Sequence, residues 1–187
     1  MSIAEAQREV RRVYAGGFYG QLVSGVVWLI AAAAATWISP PAGVGALFFG
    51  GMLIFPLTTL VIRLSGRPSS LPAGHPMAGL AMQIAFTVPI GFVVVIAMLG
   101  GRSELFFPAS MVIVGAHYLP FVFLYGMRLF AVLAAALTAT GVLLLFGRLA
   151  APSTVGGWFT GALLVVFAFL LRASARSLEK TALDQER

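Results

Sequence analysis

The chain has 187 residues, of which 60% are hydrophobic and 10% are charged, so a water-soluble globular fold is excluded and an integral membrane protein is predicted. Twelve basic residues against six acidic ones give a net charge of +6. Because the basic residues fall in predicted loops and tails, they indicate membrane orientation rather than nucleic-acid binding. The absence of cysteine excludes disulfides, thiolate metal sites and cysteine nucleophiles.

Residues 1–16 form a predicted amphipathic N-terminal segment. Ser2 and Glu5 have the spacing of a capping box, and the apolar residues of the segment share one helical stripe: Ile3, Ala6, Val10 and Val13. The pattern predicts a short helix on the inner membrane surface. A frayed tail with partial helicity is the alternative for so short a segment.

Six hydrophobic stretches follow, each long enough to cross the hydrocarbon core of a membrane as a helix. They lie at about 17–38, 44–62, 77–99, 105–125, 129–146 and 155–171. A tight turn at Pro40 and Pro41 is expected between the first two stretches. A polar, proline-rich loop at 65–76 separates the second from the third, and a turn at 148–153 separates the last two.

These stretches predict an all-α fold, a polytopic membrane bundle of six transmembrane helices. The prediction is a single integral membrane domain over 1–187, with the six spans at 17–171 and a cytoplasmic tail at 172–187. Six spans place both termini on one side of the membrane. Ten of the twelve basic residues lie on that side, in the N-terminal segment, the second and fourth loops and the tail. The positive-inside bias therefore predicts that the N- and C-termini are cytoplasmic.

All six carboxylates lie outside the predicted spans. Proton-coupled and sodium-coupled carriers usually relay through buried Asp or Glu, so this apparatus is missing. Ser110 and His117 share a helical face but lie about 10 Å apart, whereas a serine nucleophile needs its base within roughly 3 Å. His75 and His117 differ too much in depth to share a metal. We therefore expect no enzyme activity, no catalytic residue, no metal and no cofactor.

His117 is the main candidate functional residue. An ionisable group inside a span is costly and usually faces a bundle interior or a wet cavity. In the structural interpretation, the neutral ring donates to a backbone carbonyl that a nearby proline leaves free, or pairs with a Tyr or Gln. In the functional interpretation, protonation of the ring at acid pH switches a gate or admits an anion.

Other polar side chains recur at helical spacing. In the third span, small and polar residues return every four positions: His75, Gly79, Gln83, Thr87 and Gly91. Such stripes either line a passage or make hydrogen bonds between helices. The candidate ligand or pathway residues are His117, Tyr118, Gln83, Thr87 and Gln21.

Two patterns of small residues predict close helix packing. Gly16, Gly20 and Ser24 are spaced by four, as are Gly157 and Gly161. Small residues at this spacing let two helix backbones approach closely in a membrane. The packing could lie within one chain or between two copies.

Three stretches carry a resemblance to a known family: GGMLIFPLT at 50–58, SLPAGHPMAGLAMQ at 70–83 and VGAHYLPFVFLYGMR at 114–128. There the chain resembles a family of small uncharacterised bacterial membrane proteins. The resemblance covers most of the chain and implies a multi-pass protein of the bacterial cytoplasmic (inner) membrane. It implies no activity, ligand or site residue.

The leading hypothesis is a small inner-membrane transporter or channel for a small neutral or anionic solute, sensitive to pH through His117. The alternative is a non-transporting membrane scaffold or a partner- or lipid-binding protein. In that case the polar stripes bind neighbouring helices or lipid, and the basic tails meet anionic headgroups. The expected partners are membrane lipid, the solute and a second copy of the chain, with no nucleic acid.

Overall fold

The computed structural model describes residues 1–147 and 152–185, and every regular element in these ranges is a helix. The seven α-helices are α1 (Ile3–Val13), α2 (Phe18–Trp37), α3 (Pro40–Leu64), α4 (Ala78–Leu99), α5 (Phe106–Tyr125), α6 (Leu129–Phe146) and α7 (Val155–Gln185). Short 3-10 segments at Ala15–Gly17 and Ser103–Leu105 precede α2 and α5. The all-α prediction is confirmed. Most of the turn predicted at 148–153 lies outside the described residues.

Six of the helices, α2 to α7, are long and apolar enough to cross a membrane. This confirms the six predicted spans. Their bounds differ from the predicted ones at one turn: Ser39 caps the N-terminus of α3, and Pro40 and Pro41 occupy its first turn instead of forming a loop. Proline is well suited to that position, because the first helical N–H groups have no partner inside the helix.

The helices pack in two groups that α2 and α5 connect. One group consists of α2 between α3 and α7, and the other of α5 between α4 and α6. The groups meet where Trp28 of α2 packs on Phe107 of α5, with ring centroids 6.0 Å apart. Gly157 of α7 also faces Phe107 closely. The core therefore lies between α2, α5 and α7.

Helices α3 and α4 bury a much smaller share of their length than α2, α5 and α7. Large apolar side chains are exposed along both, among them Phe49 and Phe55 on α3, and Phe86 and Ile90 on α4. A continuous apolar surface of this kind is typical of a face that contacts lipid or another membrane helix.

Helix α1 lies across the end of the bundle that also holds the 65–77 loop, the α5–α6 turn and the C-terminal part of α7; this end is called the basic end below. Ala6, Val10 and Val13 of the predicted stripe are buried, whereas Ile3 is 60% exposed. Gln7 Nε2 donates to the carbonyl of Phe123 and Arg11 Nη1 to that of Tyr125, both at 2.5 Å. These carbonyls end α5 and have no partner within the helix. The stripe of α1 thus packs on the bundle.

The chain reverses between α1 and α2 through three consecutive left-handed residues. Ala15, Gly16 and Gly17 have φ angles of 50°, 68° and 90°. A Cβ atom on Gly16 would lie 2.6 Å from the Cβ of Ala175, so glycine is needed there for both backbone conformation and contact with α7. Ala15 adopts the same region without that freedom.

Candidate functional site

His117 bridges α4 and α5. Its Nδ1 lies 2.8 Å from the hydroxyl oxygen of Thr87, and that hydroxyl also lies 2.8 Å from the carbonyl of Ile84. Because a hydroxyl has one proton, a Thr87 that donates to Ile84 accepts the Nδ1–H of His117. The half-buried ring also packs edge-to-face on Tyr118 and Phe121, at centroid distances of 5.5 and 5.0 Å. The ring is therefore held by a neighbouring helix and by two aromatic groups.

Tyr118 and Gln21 form a separate polar contact in the bundle interior. Both are buried, as is Ser24. The Tyr118 hydroxyl faces the side chains of Gln21 and Ser24, joining α5 to α2. Within the described residues, Gln21 Oε1 has no hydrogen-bond partner. A buried amide oxygen in that state is costly unless a water or a ligand reaches it.

The predicted pathway residues are thus divided between two contacts. The structure brings His117 to Thr87 and Tyr118 to Gln21. Gln83 and Thr87 are both exposed on α4. His75 is also off the predicted stripe, because α4 begins at Ala78 and His75 belongs to the preceding loop. The stripe expected from spacing alone therefore does not line one space.

The predicted packing glycines act within the chain. A Cβ on Gly161 would lie 2.7 Å from the side chain of Leu29, and one on Gly157 would lie 2.9 Å from Phe107. Gly16 packs on α7 from the turn, outside any α-helix, and Gly20 has only a methyl of Thr58 at 3.9 Å. One glycine of α2 that packs closely against α7 was missed by the sequence pattern.

That glycine is Gly25, whose added Cβ would lie 3.0 Å from the carbonyl oxygen of Gly161. Gly25 lies one residue after Ser24, the last member of the predicted pattern. The face of α2 that packs on α7 is therefore shifted by one residue from the predicted face, and nothing in the sequence indicates that shift.

The largest concentration of charge lies at the basic end, in a cavity of about 280 Å³ that we call the arginine cleft. Three segments far apart in sequence form its walls: α1 and the turn after it, the 65–77 loop, and the C-terminal part of α7. It is lined by Arg8, Arg11, Arg12, Ala15, Arg67, Arg172, Ala175, Arg176 and Glu179. Among the described residues that line it are six guanidinium groups and one carboxylate, which give these lining residues a net charge of +5.

Backbone and aromatic contacts position several of these guanidinium groups. Arg67 donates to the carbonyl of Arg12 at 2.6 Å and so ties the loop to the end of α1. Arg172 lies over the ring of Phe18 at 4.5 Å, a cation–π contact between α7 and the first residue of α2. Burial lowers the pKa of Arg11, the nearby charge of Arg8 lowers it further, and the charge of Glu179 raises it. Arg11 therefore lies close to both like and opposite charge in the cleft.

Sequence patterns assign these arginines to membrane orientation and do not group them. A weak signal exists in the spacing, because Arg8 with Arg12 and Arg172 with Arg176 are pairs four residues apart, which share a helix face. Nothing in the sequence shows that the two faces meet, since docking of α1 under the bundle decides that.

A second contact at the basic end joins α1 to the 65–77 loop. The buried His75 has its Nε2 3.3 Å from Oε2 of Glu9. The backbone N–H of Met77 donates to His75 Nδ1 at 3.2 Å, whereas His75 Nε2 makes no hydrogen bond within the described residues, so its contact with Glu9 is one of proximity. In the part of the chain that the structure describes, no three His, Asp or Glu side chains are grouped to hold a metal.

Comparisons with curated proteins and with solved structures gave no match. A family model described as a family of unknown function (DUF7010) matches residues 3–174. The matched stretch includes α1, all six long helices up to the first part of α7, and five of the six cleft arginines. This confirms the resemblance to an uncharacterised family: the chain belongs to DUF7010, a family of unknown function.

Proposed function

We propose that the protein is a multi-pass membrane protein that acts by binding an anionic group of a lipid or partner in the arginine cleft. This is the alternative of the two functions considered from the sequence. The observation that carries the proposal is the convergence of six guanidinium groups from three segments on one cavity, with a single carboxylate among the described lining residues. Such a cavity attracts negative charge through its summed field.

The height of the cleft supports a lipid or membrane-surface ligand. Ala15 and the Arg172–Phe18 contact lie where α2 begins, at the end of a long apolar helix. The headgroup region begins at this level of a membrane helix. With the termini in the cytoplasm, as the positive-inside bias favours, the cleft would face the anionic surface of a bacterial inner membrane.

Passage of a small neutral or anionic solute is a second candidate. One observation favours it: Gln21 Oε1, deep among α2 and α5, has no protein partner in the described residues. A solute or water file would supply one. The separation of the Gln21–Tyr118 contact from the His117–Thr87 contact gives this candidate less support than the cleft gives to binding.

Analysis of retained lipids tests the binding proposal. We expect the protein, purified in mild detergent from a mixed membrane, to retain anionic lipid in excess over zwitterionic lipid. The Arg172→Gln/Arg176→Gln variant should lose that excess. Arg128→Gln is the matched control, because Arg128 is exposed at the same end but does not line the cleft. Equal lipid ratios in all three proteins would contradict the proposal.

Solute flux separates the two candidates. In proteoliposomes loaded with small neutral or anionic solutes, the binding proposal expects the same leak with wild-type protein, with His117→Ala and without protein. Flux that requires wild-type protein and falls in His117→Ala or Gln21→Leu would favour transport instead.

A further inference from the structure

We infer that the arginine cleft binds a phosphate group, and that the bound phosphate fastens α1 to the C-terminal part of α7. This inference rests on the proposed function, because it names the class of anion that the same cleft takes. The shared chemistry is a phosphate ester, whether it belongs to a lipid headgroup or to a soluble molecule.

Arginines on three walls of the cleft can donate to one ligand. Guanidinium groups approach the cavity from α1, from Arg67 in the loop and from Arg172 and Arg176 in α7. A planar carboxylate presents its two oxygens in one plane and suits one arginine fork. A tetrahedral phosphate presents oxygens in several directions and can meet donors from three walls at once.

The positive charge of the lining residues favours a phosphate over a monovalent anion. Among the described lining residues, Glu179 is the one carboxylate beside six guanidinium groups. Burial and the crowding of Arg11 by the charge of Arg8 disfavour its charged form, and Glu179 opposes this in part. A phosphomonoester carries a charge of about −1.5 to −2 near neutral pH and offers three strong acceptor oxygens. It therefore relieves this crowding more than a monovalent anion does.

The volume of the cleft also suits a phosphate group. The cavity of about 280 Å³ lies just below the roughly 300–1,000 Å³ of pockets that enclose drug-sized ligands. It has room for a phosphate and its first ester carbons. Any larger substituent, such as acyl chains, must extend out of the cavity.

A phosphate in the cleft would contact both α1 and the C-terminal part of α7. Helix α1 contributes Arg11 and Arg12, and α7 contributes Arg172 and Arg176, to the same space. Helix α1 is fastened to α5 and to the loop by hydrogen bonds, and the turn after it packs on α7 where Gly16 meets Ala175. A phosphate between the walls adds a link from α1 itself to α7, so α1 should become better protected when it binds.

The test uses the whole chain in nanodiscs of zwitterionic lipid and phosphate-free buffer. Inorganic phosphate or acetate is added at equal ionic strength, and separate nanodiscs contain phosphatidic acid. The two measurements are the thermal midpoint and amide-exchange protection of residues 3–13. We expect phosphate or phosphatidic acid to raise the midpoint by several degrees and to increase protection of α1 at least tenfold, with no change from acetate.

Variants assign the effect to the cleft. Arg12→Gln/Arg176→Gln should abolish the response, Arg12→Lys/Arg176→Lys should retain part of it, and Arg128→Gln should respond like wild type. Midpoints without anion show whether each variant is folded. A response to phosphatidic acid alone identifies a lipid source, and a response to free phosphate identifies a soluble one; both support the inference.

Two outcomes overturn the inference in distinguishable ways. If acetate protects α1 as well as phosphate does, the phosphate class is wrong, while anion binding in the cleft still stands. If neither anion nor anionic lipid changes the midpoint or the exchange, both the inference and the proposed function fail.

Discussion

Replacing Thr87 by Val and His117 by Phe, singly and together, tests whether the imidazole is a bridge between helices. Thr87→Val removes the hydroxyl that lies 2.8 Å from His117 Nδ1. His117→Phe keeps a ring against Tyr118 and Phe121 but removes both nitrogens. If the bond is the main role of these groups, the second substitution costs less once the first has been made.

The expected coupling follows from the geometry. The pair makes one hydrogen bond of ordinary length, at a half-buried position between α4 and α5. Hydrogen bonds between membrane helices average about 0.6 kcal/mol in double-mutant cycles and reach about 1.7 kcal/mol. We therefore expect a coupling energy of about 0.6–1.7 kcal/mol, which corresponds to roughly a threefold to twentyfold change in the unfolding equilibrium.

The assay is reversible unfolding in mixed micelles of the wild type, both single variants and the double variant. Circular dichroism reports the loss of helix, and the coupling is the departure of the double variant from additivity. A Gln83→Leu variant serves as control, because Gln83 is exposed on α4 and should show no coupling to His117→Phe. Strict additivity of Thr87→Val and His117→Phe would refute the bridging role.

Three further predictions concern α1 and the helix packing. Gly25→Leu should lower the unfolding free energy by about 1–3 kcal/mol, because even a Cβ would lie 3.0 Å from a backbone carbonyl of α7; Gly45→Leu, with nothing within 4 Å of its Cβ, should be nearly neutral in the same unfolding assay. Hydrogen bonds from the Ser2 backbone and hydroxyl hold the pKa of Glu5 below its usual 4.5, so their contribution to α1 is complete above that pH and is lost as the pH falls through the lowered value. Exchange protection factors of α1 should drop there, and a drop of equal size in Glu5→Gln would contradict this. Ala15→Gly should raise the thermal midpoint, by up to about 1 kcal/mol in stability, because φ of +50° strains alanine but not glycine; a lowered midpoint would argue against strain at this turn.

The six long helices were predictable because apolar length is a strong local signal. Each of the six stretches is longer and more apolar than a helix of a soluble protein would be, and the structure has a long helix at each. The start of α3 was less predictable. Paired prolines terminate a preceding helix and also begin the next one, so Pro40 and Pro41 fit a loop and a first turn equally well until the Ser39 cap is seen.

The candidate sites were predictable only in part. Sequence spacing put Gln83, Thr87 and His75 on one stripe. Gln83 and Thr87 do share a face of α4, but His75 lies in the loop before that helix begins. The Thr87–His117 contact needs two helices to be in register, and periodicity within one helix says nothing about register between helices. The arginine cleft needs a third kind of information, the docking of α1 and of α7 at the same end.

The pairing of α2 with α7 has a consequence for biosynthesis. These are the first and the last of the six long helices along the described chain, and α2 offers α7 a face that includes Gly25 and Ala32. The 117 residues between Trp37 at the end of α2 and Val155 at the start of α7 take the ribosome on the order of ten seconds to translate. During that interval α2 has been synthesised but has no α7 to pack against. A nascent chain that stops before residue 155 leaves this face open, where a membrane chaperone or quality-control protease can recognise it.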